Sequence, residues 1–379
     1  MNILIAPDSF KETMSAKEVS SIIRKSFQRV FETANIIEVP LADGGEGTVE
    51  ALIDSTNGKL IKCEVLNPLL KPIEASYGVL GDNQTAVIEM ASSSGLELLK
   101  ENEKNPLNTS TYGFGQLINH ALDNGIKKLI LGLGGSATND AGIGMLQALG
   151  VEFYDKDENL MKILCAKDIK DIKSFHIKAL EQKFKDVDIK VACDVINPLC
   201  GINGASYVFS PQKGADEKMV ELLDSCLLNF ANLCESYFNK DTKDIEGCGA
   251  AGGLGFALIT FLDGKLLRGI DIVIDSVNLE EKIKTADLVI TGEGKIDSQT
   301  IQGKTPIGVA RLAKKHNKKV IAICGCTSND YEIVYKHGID LVFDITPNSM
   351  SFEDIKKNSK KNLKQTAYNV ALCLSMNIN

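Results

Sequence analysis

Five short segments concentrate carboxylates, lysines, hydroxyls and glycines at spacings that chemistry can use. Pro7-Asp8-Ser9-Phe10-Lys11 follows the apolar run Asn2–Ala6. Ligands of an open parallel sheet bind beyond the carboxyl ends of its strands, so Asp8, Ser9 and Lys11 can meet a small anion or its hydroxyls; the bland alternative is a solvated turn. Ala42-Asp43-Gly44-Gly45-Glu46-Gly47-Thr48 precedes an expected helix. Its glycines let a backbone approach a ligand, and helix N-terminal amides favour a carboxylate or phosphate. Asp43 and Glu46 suit hydroxyls or a metal, and a plain tight turn needs neither. Gly132-Leu133-Gly134-Gly135-Ser136-Ala137-Thr138-Asn139-Asp140 follows another apolar run. Gly132-x-Gly134-x-x-Ala137 meets the loose dinucleotide pattern, with Asp155 at a sequence distance suited to a ribose. The polar Thr138, Asn139 and Asp140 interrupt the small apolar helical turn that pattern needs, so phosphates with Mg²⁺ fit the loop better.

Two further segments complete the set. Asp194 ends a strand, where it can hold a metal, take a hydroxyl proton or cap a turn. Gln212-Lys213-Gly214 offers a cation, and Gly249–Gly255 opens a buried helix by close packing or by approaching a phosphate. Gly292-Glu293-Gly294 leads to Asp297 and on to Gly303-Lys304-Thr305, which looks like the end of a Walker A loop. That motif requires glycine at position 298, where this chain has serine, so it is not a P-loop. Lys304, just before a helix start, can still reach a phosphate. Four histidines without HExxH spacing argue against a zinc hydrolase, and no GxSxG elbow is present.

These segments need elements to position them. At 379 residues the chain exceeds what one core usually organises, so two domains are expected. Apolar residues at 44% and charged residues at 24% are ordinary for a globular protein. A net charge of -8 argues against nucleic acid or an anionic membrane as partner, without excluding a local anion site. Ten cysteines without a CxxC pair read as reduced thiols, and with a start directly on a strand the expectation is a cytoplasmic protein without a leader. No apolar run approaches the ~20 residues that span a bilayer. Apolar runs at Asn2–Ala6, Ile36–Pro40, Leu288–Thr291, Lys319–Gly325 and Leu341–Ile345 predict parallel strands covered by helices on both faces. Ser15 and Glu18 mark a capping box, a second helix runs from near Gly47 to Thr56, and Thr305-Pro306 opens a third with Thr305 as cap. The stretch between has strands near Ala86–Glu89, Lys128–Leu133 and Lys190–Cys193. Residues 1–60 with 285–379 are therefore expected to form one domain, interrupted by 61–284, with a cleft between for ligands.

Taken together, PDSFK, ADGGEGT, GGSATND, CDVxNPL, QKGA and GEGxxDxQ…GK run in this order along the whole chain, which resembles the bacterial glycerate kinases. The resemblance implies a flavodoxin-like parallel-sheet domain interrupted by an inserted α/β domain. It also implies ATP- and Mg²⁺-dependent phosphorylation of D-glycerate, with 2-phosphoglycerate the favoured product. On that basis Lys11 meets the glycerate carboxylate or the transferring phosphate. Asp8, Ser9, Asp43, Gly44, Gly45 and Glu46 lie on the substrate side. Gly134, Gly135, Ser136 and Asn139 cradle ATP, helped by Lys213, Glu293 and Lys304. Asp140 or Asp194 supports Mg²⁺, and Asp194 or Asp297 is the base if one is needed. Thr13 for a usual serine and Ala141 for a frequent glycine are small departures. A kinase for another small hydroxy acid and an NAD-dependent dehydrogenase are the alternatives, and an isolated sheet edge or apolar face could support a homodimer.

Overall fold

The computed structural model describes residues 1–45, 47–347 and 351–376. The chain divides into two compact units, Met1–Gly58 with Arg268–Asn379, and Lys59–Leu267. The second break lies at Leu267/Arg268 rather than near 284/285. The reason is apolar: helices Gly269–Ser276 and Leu279–Thr285 bury Ile270, Ile272, Val273, Leu279 and Ile283, and both pack on helix Thr305–Lys315 of the first unit.

The first unit is built on five parallel strands in the order Leu341–Asp344, Lys319–Cys324, Leu288–Thr291, Asn2–Ile5, Asn35–Glu38. Counted along the chain this is 2-1-3-4-5, the flavodoxin-like order, and the sequence direction reverses between Asn2–Ile5 and Leu288–Thr291. Alternate residues face opposite sides of a strand. Ile3, Ile5, Leu288, Ile290, Ile321 and Ile323 join a core with Val19, Ile23 and Phe27 of helix Ala16–Gln28 and Leu363 and Ala367 of helix Phe352–Ser375. The intervening Leu4, Val289 and Ala322 are fully buried too, as a sheet covered on both faces requires. Both halves of the Ser15/Glu18 capping box form at the start of Ala16–Gln28. Helix Thr48–Thr56 ends at Asn57 in the left-handed conformation. At Thr305–Lys315 the cap is Lys304, so Thr305 is the first helical residue and its hydroxyl is released for other work.

The second unit holds a six-stranded sheet in the order Lys265–Leu267, Asp188–Ala192, Lys128–Gly132, Thr85–Glu89, Pro72–Val79, Lys59–Leu66. The first four strands run parallel, and the last two form an antiparallel hairpin at the edge. That hairpin and Lys265–Leu267 were not among the expected strands. Lys59–Leu66 is exposed or half-buried along most of its length, so its apolar signal is weak. A large core joins this sheet to helices Tyr112–Asp123, Glu217–Phe238 and Ala250–Leu262.

Candidate active site

In the first unit, register delivers the functional groups. Ile5 pairs with Ile290, so Asp8 and Glu293, each three residues further on, emerge at one level from adjacent strands at the reversal point. The Asp8 amide donates to the Gly292 carbonyl at 2.8 Å. The neighbouring strand passes so close that a Cβ on Gly292 would stand 1.8 Å from the Ile323 carbonyl oxygen, so only glycine fits there. Asp8, Lys11, Asp43, Glu293, Lys295 and Lys304 line a cavity of about 340 Å³, with Ser9 beside them.

The Asp8 carboxylate is buried, accepting from the Thr305 hydroxyl at 2.7 Å and the Ser9 amide at 2.6 Å. Burial and then the Asp43 charge push its pKa up to about 7, against the pull of those two hydrogen bonds. Glu293 is also buried; it accepts from Thr300 Oγ1 at 2.6 Å and pairs with Lys304 at 3.2 Å, yet burial still raises its pKa. Lys11 reaches the cavity from an exposed position. The cavity thus combines cations for a carboxylate or phosphate with acceptors for hydroxyls.

In the second unit, Gly132 pairs with Ala192. Gly134 and Asp194, each two residues beyond, leave one sheet edge on neighbouring strands about 4.8 Å apart. Gly134 and Gly135 are exposed, Ser136 is half-buried, and Asp194 is exposed. The rest of the loop is tied down. Leu96 donates to the Gly135 carbonyl at 2.8 Å, Ala137 donates to the Ser94 carbonyl at 2.9 Å, and Asn139 Nδ2 donates to Ser206 Oγ at 3.0 Å.

Several residues are placed differently from expectation. Asp140, expected at Mg²⁺, is fully buried and accepts from the Thr111 amide and hydroxyl, both at 2.8 Å, and from the Gly142 and Gly144 amides at 3.2 and 3.3 Å. Its oxygens anchor the loop from inside. Glu293 and Lys304, expected at ATP, lie in the cavity with Asp8. Asp297, expected as a base, is held by Lys295 at 3.2 Å and the Gln299 amide at 3.0 Å, and it does not line that cavity. Gly44 is needed for packing rather than for a ligand, since its Cβ would stand 2.4 Å from Gly269 Cα. Gly45 donates to Asp43 Oδ1 at 3.1 Å, and Glu46 lies outside the described residues. The Gly249–Gly255 segment packs inward, with the Gly252 carbonyl accepting from Ala141. Asp155 follows a strand of a separate two-stranded sheet and accepts from Asn159 and Asp157, which removes the ribose acid of the dinucleotide reading. Thr111, Thr300 and Thr305, which hold three of the acids, were missed in these roles. None lies within one turn of its acid: Thr300 is nearest, seven residues after the Glu293 it holds.

Among the described residues no group of three His, Cys, Asp or Glu could hold a metal by itself. Magnesium on a nucleotide needs only one or two protein carboxylates, with phosphates and water completing its shell. Asp194, exposed on the strand beside the glycine loop, is the candidate for such a carboxylate. All ten cysteines are free, and no described helix is long and apolar enough to cross a membrane.

A model of the glycerate kinase family matches residues 3–375. The glycerate kinase of Haemophilus influenzae is 50% identical over 375 residues, 99% of each chain. The glycerate kinase of Bacillus subtilis is 47% identical over 99% of this chain and 98% of its own. The glycerate 2-kinase of Escherichia coli is 46% identical with the same coverage. A crystal structure assigned to glycerate kinase 2 of Salmonella typhimurium LT2 superposes with a TM-score of 0.91 at 47% identity, covering 99% of this chain and 98% of that one.

Proposed function

The chain belongs to the glycerate kinase family, and we propose that it transfers the γ-phosphoryl group of ATP, with Mg²⁺, to the 2-hydroxyl of D-glycerate. One observation carries the nucleotide assignment: the Gly132–Ala192 pairing brings Gly134, Gly135 and Ser136 to the same sheet edge as Asp194. The glycine amides and the Ser136 hydroxyl take phosphate oxygens, and Asp194 holds the metal. Bound Mg²⁺ supplies charge neutralisation on the phosphates.

Glycerate fits the first unit's cavity. Lys11 and Lys304 suit its carboxylate and the charge that develops on transfer, while Asp8 and Asp43 suit its hydroxyls. Asp8 takes the base role in place of Asp194 or Asp297, because its proton affinity lies near neutrality and it faces the cavity. The 2-hydroxyl is favoured by the activity named for the Escherichia coli relative. Free thiols suit a reducing cytoplasm. The exposed edge strand Lys59–Leu66 suits a homodimer, which the solution mass would test.

The test is turnover of D-glycerate with ATP, followed by phosphorus NMR of the product. A 2-phosphoglycerate signal that disappears with EDTA is expected; Mg²⁺-independent turnover, or none with Mg²⁺, refutes the reading. Lys11→Ala and Asp194→Asn should each lower kcat/KM by at least ~100-fold in folded protein, the usual scale for one preorganised charge.

A further inference from the structure

We propose that Lys213 is a positioning residue for the nucleotide loop, holding Ser136 and the Thr138 carbonyl from beneath so that Gly134 and Gly135 keep the shape that receives phosphates. This rests on the reading of that loop as the ATP site. The side chain is 1% exposed, so it underlies the loop rather than projecting from it. Its Nζ donates to Ser136 Oγ at 2.8 Å and to the Thr138 carbonyl at 2.7 Å. Ser136 directly follows the exposed glycine pair, whose second member has φ +72°. Both segments are pinned. The Lys213 amide donates to the Ser210 carbonyl at 3.0 Å, and the Asn139–Ser206 bond ties the same two stretches of chain a second time.

An ammonium is an expensive choice for a merely structural tie. Buried charge costs stability unless it is paired, and an apolar side chain of similar volume is often as good or better for the fold. Asp140 is the one acid that acts on Lys213 through space, and its oxygens are already committed to Thr111, Gly142 and Gly144. Burial accordingly lowers the lysine's proton affinity. The loop also leaves two buried acceptors, Thr138 Oγ1 and Asn139 Oδ1, without partners. Native interiors rarely tolerate such groups, so this loop is not arranged for its own stability. What the lysine adds, and methionine could not, is a donor that fixes the Ser136 hydroxyl and the Thr138 carbonyl and, when protonated, positive potential under a surface meant for a polyanion.

The experiment titrates Mg-ADP calorimetrically against wild type, Lys213→Met, Ser136→Ala, Ser136→Thr and the double variant Lys213→Met/Ser136→Ala, with a melting curve for each. Lys213→Met is expected to melt at or above the wild-type temperature, to bind ADP at least about tenfold more weakly, and to keep KM for glycerate. Ser136→Ala should weaken ADP binding and Ser136→Thr, which keeps the acceptor, should restore it. The double variant should bind no more weakly than Lys213→Met, because the two residues act as one unit. Unchanged ADP affinity in Lys213→Met, or a lowered melting temperature without lost affinity, overturns the proposal. So do fully additive losses, which would mean that lysine and serine contact phosphate independently. If Lys213→Met does not fold, the Ser136→Ala and Ser136→Thr pair decides: equal affinities overturn it. Gly134→Val separates the underlying reading. If that variant binds ADP normally the loop is not the nucleotide site and both fall; if it loses ADP while Lys213→Met does not, only the role of Lys213 falls.

Discussion

Asp8 is pulled in two directions, because burial and the Asp43 charge favour its protonated form while the Thr305 hydroxyl and the Ser9 amide favour the ionised one. Burial wins, and the group binds its proton up to about pH 7 in the fold against 3.8 for an ordinary aspartate. Between those values the folded chain holds a proton that the unfolded chain releases, so this residue makes stability fall as pH rises through that window, and the deficit persists above pH 7. Asp8→Asn keeps an acceptor for Thr305 and removes the charge. The expected result is a higher Tm at pH 8 and no gain below about pH 4, read from melting curves across pH. With Asp8 as base, wild-type kcat/KM should rise with pH through an apparent pKa near 7, and Asp8→Asn should lose that limb. A Tm that drops equally at every pH would show that the buried charge is compensated better than this geometry implies.

Among the elements, the close passage of two strands sets what the turn after Leu288–Thr291 can do. Gly292 accepts the Asp8 amide and lies against the Ile323 carbonyl, and Glu293 follows immediately. A methyl group there forces the strands Leu288–Thr291 and Lys319–Cys324 apart at the level of the cavity. Gly292→Ala should therefore lose about 1–3 kcal/mol, the usual scale of overpacking, and should lose turnover as well, because Glu293 and the Asp8 amide shift with the strand. Urea unfolding beside the kinetic assay checks both. Stability and rate near wild type would mean that the sheet relaxes around the methyl. The helix Thr305–Lys315 is coupled to the same spot through the Thr305 hydroxyl, so strand and helix jointly orient one carboxylate.

For the whole molecule, the proposed ligands belong to different units, and this can be observed without turnover. Amide exchange with Mg-ADP alone should slow around residues 132–142 and 193–197 of the second unit. D-glycerate alone should slow residues 7–11 and 292–305 of the first. Ligand that binds only the folded state protects the segments it orders, to an extent set by its concentration relative to Kd. ADP protection confined to the first unit would reverse the assignment of nucleotide and substrate. The net charge of -8 disfavours a polyanionic partner, while the cavity gathers Lys11, Lys295 and Lys304 among Asp8, Glu12, Asp43 and Glu293, a local mixture that suits a small hydroxy acid.

What the sequence determined by itself was local. The apolar runs of the first unit became its five strands, Ser15 with Glu18 started a helix, and the helix expected to reach Thr56 ends there, because strand period and capping each involve residues a few positions apart. The order of six motifs also pointed to the family. The edge hairpin escaped because a half-exposed strand carries little apolar signal, and the second unit break was misplaced because the helices from Gly269 to Thr285 reveal their loyalty only through what they pack on. The roles of the acids and of Lys213 were decided by tertiary structure alone. Asp8 meets Thr305 across 297 positions, Lys213 meets Ser136 across 77, and Asp140 meets Thr111 across 29. An aspartate a few residues beyond a strand end reads the same whether it is buried among four protein donors or exposed at the surface. Only the folded chain, by bringing Thr111 and the amides of Gly142 and Gly144 to Asp140 and leaving Asp194 at the surface, makes one an anchor and the other a metal candidate.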